Sequence, residues 1–138
     1  MAVLARTDGA TLARYLAGCG PLPPYARLRG PESGLVMVRG RTGGSGAPFN
    51  LGEMTVTRCT VRTADGRVGH AYVAGRDMQQ AEYAALADAM LQDPDQRPRL
   101  RDAVIDPLAQ AQAARRESRA AKAEATKVQF FAMRTMRS

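Results

Sequence analysis

Alternation of apolar and polar residues is strongest in the middle of the chain, and it predicts an antiparallel sheet over residues 25–75. The clearest strands are 35–41 and 53–63. Asp65-Gly66 predicts a two-residue hairpin turn into a third strand, because this pair tolerates the positive φ angles of a type I′ turn. A weaker run at 25–29 predicts a short edge strand, so a small sheet of three to four strands is expected.

The hairpin turn fixes which side chains share a face of the predicted sheet. With a two-residue turn, Val61 lies opposite His70 and Arg58 lies opposite Val73. His70 is then half-buried on the face that carries Val61, whereas Arg58 lies beside apolar neighbours on the other face. In the first long strand, alternation places one set of side chains on a common face: Leu35, Met37, Arg39 and Arg41.

Helical spacing of apolar residues predicts helices before and after the sheet. An N-terminal helix is expected over 7–18, capped by Thr7 or Asp8 and docked on the sheet by its apolar stripe. A central helix is expected over 77–92, with Asp77 as its N-cap. The predicted fold class is therefore α+β, in a single domain that spans residues 1–138.

Residues 97–138 predict an extended helical arm followed by a tail that docks on a partner. A short helix around Leu100 precedes a second one that begins at Asp106-Pro107, since proline fits the first helical turn. Residues 108–126 are helix-prone but contain almost no large apolar side chain, so this helix has little to bury. The tail either anchors a partner, as such side chains do at interfaces, or folds back onto the chain's own core. Its apolar anchors are Val128, Phe130, Phe131 and Met133.

Composition limits the core, and the charge pattern raises a second class of function. Aromatic residues make up only 5% of the chain and Trp is absent, so a small core that depends on a partner is expected. The formal charge is +7, and the excess lies after residue 96, where the sequence contains ten basic and four acidic residues. A basic nucleic-acid-binding protein is therefore an alternative, although no RNP-like aromatics, helix-turn-helix or zinc pattern accompanies the charge.

The cysteines and the N-terminus narrow the cellular context. Cys19 and Cys59 form no metal or redox motif, and a single histidine leaves too few soft ligands for a zinc site, so no metal site is expected. The N-terminus lacks a basic region followed by an apolar run, and no stretch approaches the ~20 apolar residues of a membrane span. The chain is expected in the cytoplasm, with no membrane partner.

A glycine-rich loop at 42–52 is the first candidate binding site. The predicted strand order brings this loop, Arg39, Arg41 and Arg76 to one end of the sheet, beside the N-terminus of the central helix, where a polyphosphate or phosphonate would fit. TGGSG is not a P-loop, however, and the Asp77 carboxylate opposes an anion, so contact with a partner subunit is favoured over a phosphate site. The candidates for phosphate or interface contact are Arg39, Arg41, Gly43, Gly44, Gly46, Arg58, His70 and Arg76.

His70 is the default candidate for acid/base chemistry, because histidine is the side chain that titrates near neutral pH. No second catalytic group lies at a recognisable spacing from it. A structural role is therefore favoured for His70, and no residue of this chain is expected to be catalytic.

Three blocks of the sequence carry a family resemblance. They are GLVMVRGRTGGSGAPFNLGE at 34–53, VTRCTVRTADGRVGHAYVAGRD at 56–77 and QAEYAALADAMLQ at 80–92, and KVQFFAM at 127–133 is similar to the family's C-terminal signature. Together they resemble PhnG, the G subunit of the bacterial carbon-phosphorus lyase core complex. The resemblance covers about three quarters of the chain and leaves out the first thirty residues.

The resemblance implies a role as one subunit of alpha-D-ribose 1-methylphosphonate 5-triphosphate synthase, a transferase complex of phosphonate catabolism. By the same resemblance, the complex displaces adenine from ATP with an alkylphosphonate, so ATP is expected as its substrate, and this chain is expected to be a non-catalytic or co-catalytic subunit without a cofactor. PhnI is implied as the main partner in an obligate hetero-oligomer, with PhnH, PhnJ and PhnL as further subunits and no nucleic acid. Inactivity of the chain alone is expected, and a stand-alone ATP-consuming enzyme is a third alternative.

Overall fold

The computed structural model describes residues 1–128, which confirm the predicted α+β class. Three antiparallel strands form one sheet in the order β1-β2-β3, and a helix covers one face of it. The chain continues from the sheet into a long C-terminal helix. In sequence order the elements are a 3₁₀ turn at Leu4–Arg6, α1 at Gly9–Ala17, β1 at Tyr25–Arg41, a 3₁₀ turn at Thr42–Gly44, β2 at Pro48–Thr63, β3 at Val68–Ala74, α2 at Met78–Met90, α3 at Arg97–Leu100, a π turn at Arg101–Ile105 and α4 at Asp106–Ala125.

β1 joins the two strands that the sequence predicts at 25–29 and 35–41. Register shifts near Arg29 and Glu32 let the strand continue past Gly30 and Pro31, because a bulge accommodates a proline that cannot donate to a regular ladder. Residues 25–29 therefore lie at the edge of the sheet, as predicted, but they are continuous with 35–41 rather than a separate strand, and the sheet has three strands.

β2 begins at Pro48, five residues before the predicted start, so the long glycine-rich loop at 42–52 is also wrong. Residues 48–52 pair with the end of β1, with Phe49 opposite Gly40. The connection that remains is a tight turn in which Gly43 and Gly44 have φ angles of 60° and 79°. These left-handed angles favour glycine, which explains why two glycines occur in this turn.

The β2-β3 hairpin has three turn residues where two are predicted. The Thr63 N–H donates to the Arg67 carbonyl at 2.9 Å, and Gly66 has a φ of 91°, as in a type I turn followed by a left-handed residue. His70 therefore lies opposite Thr60 and Arg58 lies opposite Tyr72. A slip of one residue exchanges the faces of a strand, so His70 is exposed and the predicted half-buried position is wrong.

The core lies between α2 and one face of the sheet. The predicted inward residues of α2 are buried, and Cys59, Val61 and Val73 face them from the sheet. α1 is capped by Asp8, whose carboxylate accepts from the Thr11 N–H at 2.9 Å. Contrary to prediction, α1 packs against α2 and the π turn, because α2 already covers this face of the sheet. The buried residues of α2 are Gln80, Ala81, Ala84, Ala85, Leu86, Ala87, Ala89 and Met90.

The helix from Arg97 to Ala125 runs without a break through Pro107. α4 begins at Asp106 with Pro107 in its first turn, as predicted, but Ile105 takes the N-cap position in place of Asp106, and the π turn at Arg101–Ile105 leads into the helix without a break. Leu108 is the last buried residue of α4. From residue 114 to residue 128 every side chain is exposed, which confirms a helix with little to bury.

Candidate interaction surfaces

The hairpin of β1 and β2 extends well past β3. β3 pairs with β2 only between Val56 and Arg62, so residues 34–55 project as a two-stranded segment, here called the β-ribbon. At a rise of ~3.3 Å per residue, the eight β2 residues before Val56 reach roughly 26 Å beyond the end of β3. The β-ribbon is thus the most prominent projection of the sheet.

Large apolar side chains are exposed on both faces of the β-ribbon. Leu35 and Met37 share one face, as predicted, and are 63% and 53% exposed. A Cβ atom built on Gly40 would lie 3.8 Å from Leu51 and 3.9 Å from Phe49, so these two side chains lie on the opposite face, where Leu51 is 67% exposed. Contiguous exposed apolar surface of this kind marks an interaction site.

The edge of the sheet at β3 is covered by side chains, whereas the edge at the β-ribbon is open. Along β3, the Asp88 carboxylate accepts from the His70 N–H at 3.0 Å, and the Gln92 side chain donates to the Val68 carbonyl at 2.7 Å. Side chains of α2 and its C-terminal end thus close that edge. Among the described residues, no strand lies beside the other edge of β2 between residues 48 and 54. An open edge of this kind can pair with a strand of another chain.

The predicted convergence of Arg39, Arg41 and Arg76 is wrong. Arg39 lies opposite Asn50, six residues from Val56, whereas Val56 lies opposite the last residue of β3. Six residues of strand separate the two ends by roughly 20 Å. Arg41 instead donates to the carbonyl of Gly46 at 3.3 Å within its own turn, so the glycine turn and Arg76 do not form one anion site.

The N-terminus of α2 is occupied by a carboxylate of the chain itself. One oxygen of Asp77 accepts from the Gln80 N–H at 2.9 Å, which confirms the predicted cap, and the other accepts from the Gly9 N–H at 3.0 Å. A single side chain therefore serves the first turns of α1 and α2. The sequence predicts that this helix N-terminus could bind a phosphate. The N–H groups of Gln80 and Gly9 are instead bonded to the Asp77 carboxylate and are not free for an anion.

Arg58 and His70 meet on the open face of the sheet, beside Tyr72. A shallow groove of about 340 Å³ includes these three residues together with Arg29 and Thr60. The His70 Nδ1 lies 3.2 Å from the Thr60 hydroxyl. Among the described residues no carboxylate lines this groove, and the Cys59 thiol that does is buried and donates to the Arg29 carbonyl at 3.4 Å.

The charge of Arg58 on this face is already matched. Its Nε donates to Glu32 at 2.8 Å, and Arg29 binds the same carboxylate, so the predicted apolar neighbours are wrong. Burial alone would raise the pKa of Glu32, but the hydrogen bonds and charges of the two arginines outweigh it and lower that pKa. Arg29 and Arg58 on the open face are thus paired with a carboxylate and do not form a free anion site.

Glu82 links α2 to β1. The sequence predicts Glu82 on the outer side of the helix and does not predict its bonds to β1. Its carboxylate accepts from Arg27 at 2.8 and 2.9 Å and from the Tyr25 hydroxyl at 2.8 Å. Burial, and then the hydrogen bond to Glu82, raise the pKa of Tyr25 to about 12. Burial opposes the charge of Glu82, but the bonds from Arg27 and Tyr25 lower the pKa of Glu82 below its usual value.

Two further candidate features belong to other parts of the chain. Val128 is 68% exposed at the end of the described residues, whereas Phe130, Phe131 and Met133 lie outside them. Within residues 1–128, no group of three or more His, Cys, Asp or Glu side chains is arranged to hold a metal ion. None of the helices in this part of the chain is long and apolar enough to cross a membrane.

Comparison with known proteins agrees with the sequence blocks. A family model described as "Phosphonate metabolism protein PhnG" matches residues 1–135. The chain belongs to the PhnG family. A relative within it, "Alpha-D-ribose 1-methylphosphonate 5-triphosphate synthase subunit PhnG" of Rhizobium meliloti (strain 1021), is 42% identical over 137 residues, which cover 96% of this chain and 85% of the relative.

PhnG membership confirms the resemblance seen in the sequence and extends it to the first thirty residues, where no block was recognised. It also places the chain in phosphonate metabolism. The PhnG relative is one subunit of a synthase. Nothing in these comparisons supports a nucleic-acid-binding protein.

Proposed function

We propose that this chain is a subunit of a transferase complex that displaces adenine from ATP with an alkylphosphonate, giving a ribose 1-alkylphosphonate 5-triphosphate. The chain contributes architecture to the complex rather than a catalytic group of its own. ATP enters as a substrate of the whole complex, and this subunit holds no cofactor. The complex works in the cytoplasm, where ATP is available.

The exposed β-ribbon carries this proposal. A chain that acts alone has no use for large apolar side chains on both faces of a projecting hairpin, because their exposure favours association. A subunit that is completed by another chain does have a use for them. PhnI is the proposed main occupant of the β-ribbon, in a hetero-oligomer that also engages PhnH, PhnJ and PhnL.

The C-terminal tail is the second proposed contact with PhnI. Every side chain of the arm at residues 114–128 is exposed, and the apolar anchors Phe130 and Phe131 follow it in the sequence. Deletion of residues 126–138 is expected to abolish co-purification with PhnI. Deletion of residues 134–138 is the matched control, because it leaves the anchors in place and is expected to keep the complex intact.

The candidate arginines of the sheet fit contact with a partner better than contact with phosphate. Arg39 and Arg41 lie near the tip of the β-ribbon, among the apolar residues proposed to be covered. Their substitution by Ala is expected to weaken assembly. A raised KM for ATP in a complex that is still intact would instead assign them to the substrate.

Reconstitution tests the proposed activity. Adenine release from ATP plus methylphosphonate is expected when this chain is combined with its partner subunits. No release is expected from this chain alone or from the partners without it. Turnover by the isolated chain, or full turnover by partners that lack it, would contradict the proposal.

A further inference from the structure

The N-terminal turn is fixed to α4 by one glutamine. The Gln112 side-chain amide donates to the Val3 carbonyl at 2.9 Å and lies 3.0 Å from the hydroxyl of Thr7, which is itself 2% exposed and bonded to Val3. Val3 and Thr7 lie on either side of Arg6 in the N-terminal turn. Because both ends of its turn are held, Arg6 has a defined position beside α4.

Three arginines of α4 lie on the same side of the helix as Gln112. At about 100° per residue, residues 112, 115, 116 and 119 fall within an arc of about 100°. Glu117 and Glu124 fall on the opposite side of the same helix, at about 140° and 120° from Gln112. Arg6, Gln112, Arg115, Arg116 and Arg119 together line a groove of about 360 Å³, here called the arginine groove.

The four guanidinium groups of the arginine groove have no carboxylate partner among the described residues. Arg27, Arg29, Arg58 and Arg67 each form an ion pair, and the groove differs from the other unpaired arginines because four of them line one cavity. Four positive charges that converge on one groove repel one another, so an anion placed between them is stabilised by all four. Guanidinium groups also bind phosphate oxygens through two parallel hydrogen bonds.

We propose that Arg6, Arg115, Arg116 and Arg119 form a binding site for a phosphate chain such as that of a nucleoside triphosphate or a sugar 5-triphosphate. This inference rests on the proposed function, since a triphosphate is both substrate and product of that reaction. The groove volume is in the range of small-molecule sites. Its lining is arginine and glutamine, with no aromatic ring on which a base would stack.

The lining predicts a distinctive ligand profile. The groove recognises the phosphate chain and not the base, so inorganic tripolyphosphate binds as tightly as ATP and adenosine does not bind. A nucleic acid would need a longer track and base-stacking side chains. An RNA oligonucleotide therefore binds more weakly than tripolyphosphate at equal phosphate concentration.

Isothermal titration of the full-length chain at low and at physiological salt tests the site. Tripolyphosphate is the probe, with ATP, adenosine and an RNA oligonucleotide as comparisons. The double variant Arg115→Glu/Arg119→Glu is expected to lose tripolyphosphate binding by at least about tenfold, since each charge-assisted bond is strong. The matched control Arg62→Glu/Arg101→Glu makes the same change in net charge at two exposed residues that do not line the groove, and it retains binding.

Three results would overturn the site. They are absence of tripolyphosphate binding at low salt, equal loss in the control variant, and tighter binding of RNA than of tripolyphosphate. Circular dichroism verifies that both double variants are folded. If the double glutamate variant is unfolded, Arg115→Gln/Arg119→Gln replaces it, because this variant removes the two charges without adding new ones.

Failure of this site and failure of the proposed function are distinguishable. Tripolyphosphate binding is measured on this chain and needs no turnover. An active complex whose subunit does not bind tripolyphosphate overturns only the site. Tripolyphosphate binding by a chain that joins no complex overturns only the proposed function.

Discussion

Gly69 on β3 lies directly beneath Ala85 on α2, with no room for a side chain between them. A Cβ atom at Gly69 would overlap the Ala85 carbonyl oxygen and come within 2.5 Å of the Ala89 nitrogen. The helix approaches the sheet this closely because small residues line the contact. A chain with few aromatic residues thereby reaches a dense core through backbone proximity rather than through large side chains.

This contact predicts a large loss of stability for Gly69→Ala. The added methyl group must push α2 away from β3, and overpacking of this kind costs about 1–3 kcal/mol or more. Urea unfolding measures the difference. Gly34→Ala is the control, because no atom lies within 4 Å of a Cβ built there. Equal stability of the Gly69 variant and the wild type would contradict the close contact.

The shared cap predicts that Asp77→Ala is more damaging than Asp8→Ala. Asp77 serves the first turns of both α1 and α2, whereas Asp8 binds only Thr11 within α1. We expect a loss of about 2 kcal/mol for Asp77→Ala and of about 1 kcal/mol for Asp8→Ala. Equal losses in urea unfolding would show that the bond from Asp77 to Gly9 contributes no more than the bond from Asp8 to the Thr11 hydroxyl.

Glu82 predicts a specific dependence of stability on pH. Because the pKa of Glu82 is lowered in the folded chain, the carboxylate stabilises the fold above the ordinary glutamate pKa of 4.5. That contribution is lost as the pH falls through the lowered value. The difference in unfolding free energy between wild type and Glu82→Gln is therefore expected to be full at neutral pH and to disappear in acid.

Tyr25 adds a second dependence of stability on pH, in the alkaline range. Its pKa is raised from 10.0 to about 12, so the protonated hydroxyl stabilises the fold below pH 10 and this contribution is lost as the pH rises toward 12. Glu53→Gln is the control for both limbs, since Glu53 is exposed and has no ion pair among the described residues. A Glu82→Gln profile parallel to wild type at every pH would contradict this account.

Local patterns predict the elements of this fold better than they predict its register. Apolar alternation gives the strands, and Asp77 gives the start of α2. Asp65-Gly66 suits both a two-residue turn and a three-residue turn with a bulge, so the sequence alone cannot choose between them. The choice moves His70 from a half-buried face to an exposed one, which removes the predicted environment of the main acid/base candidate.

The surfaces depend on distances that the sequence does not contain. β3 is much shorter than β2, and only this mismatch exposes the β-ribbon and separates Arg39 from Arg76. Glu82 and Arg27 are fifty-five positions apart, so neither predicts the other. The arginine groove likewise requires Gln112 to bring the N-terminal turn to α4. Helical periodicity alone identifies three of its four arginines.

Co-purification of Leu51→Asp with PhnI is the most direct test of the proposed role. Leu51 is 67% exposed on the β-ribbon, and Leu28, 50% exposed on β1 outside it, provides the matched control Leu28→Asp. Both variants are expected to unfold at the wild-type urea concentration, because neither side chain is buried. The account predicts that Leu51→Asp loses PhnI while Leu28→Asp retains it. Undiminished co-purification of the Leu51→Asp chain with PhnI would contradict the account.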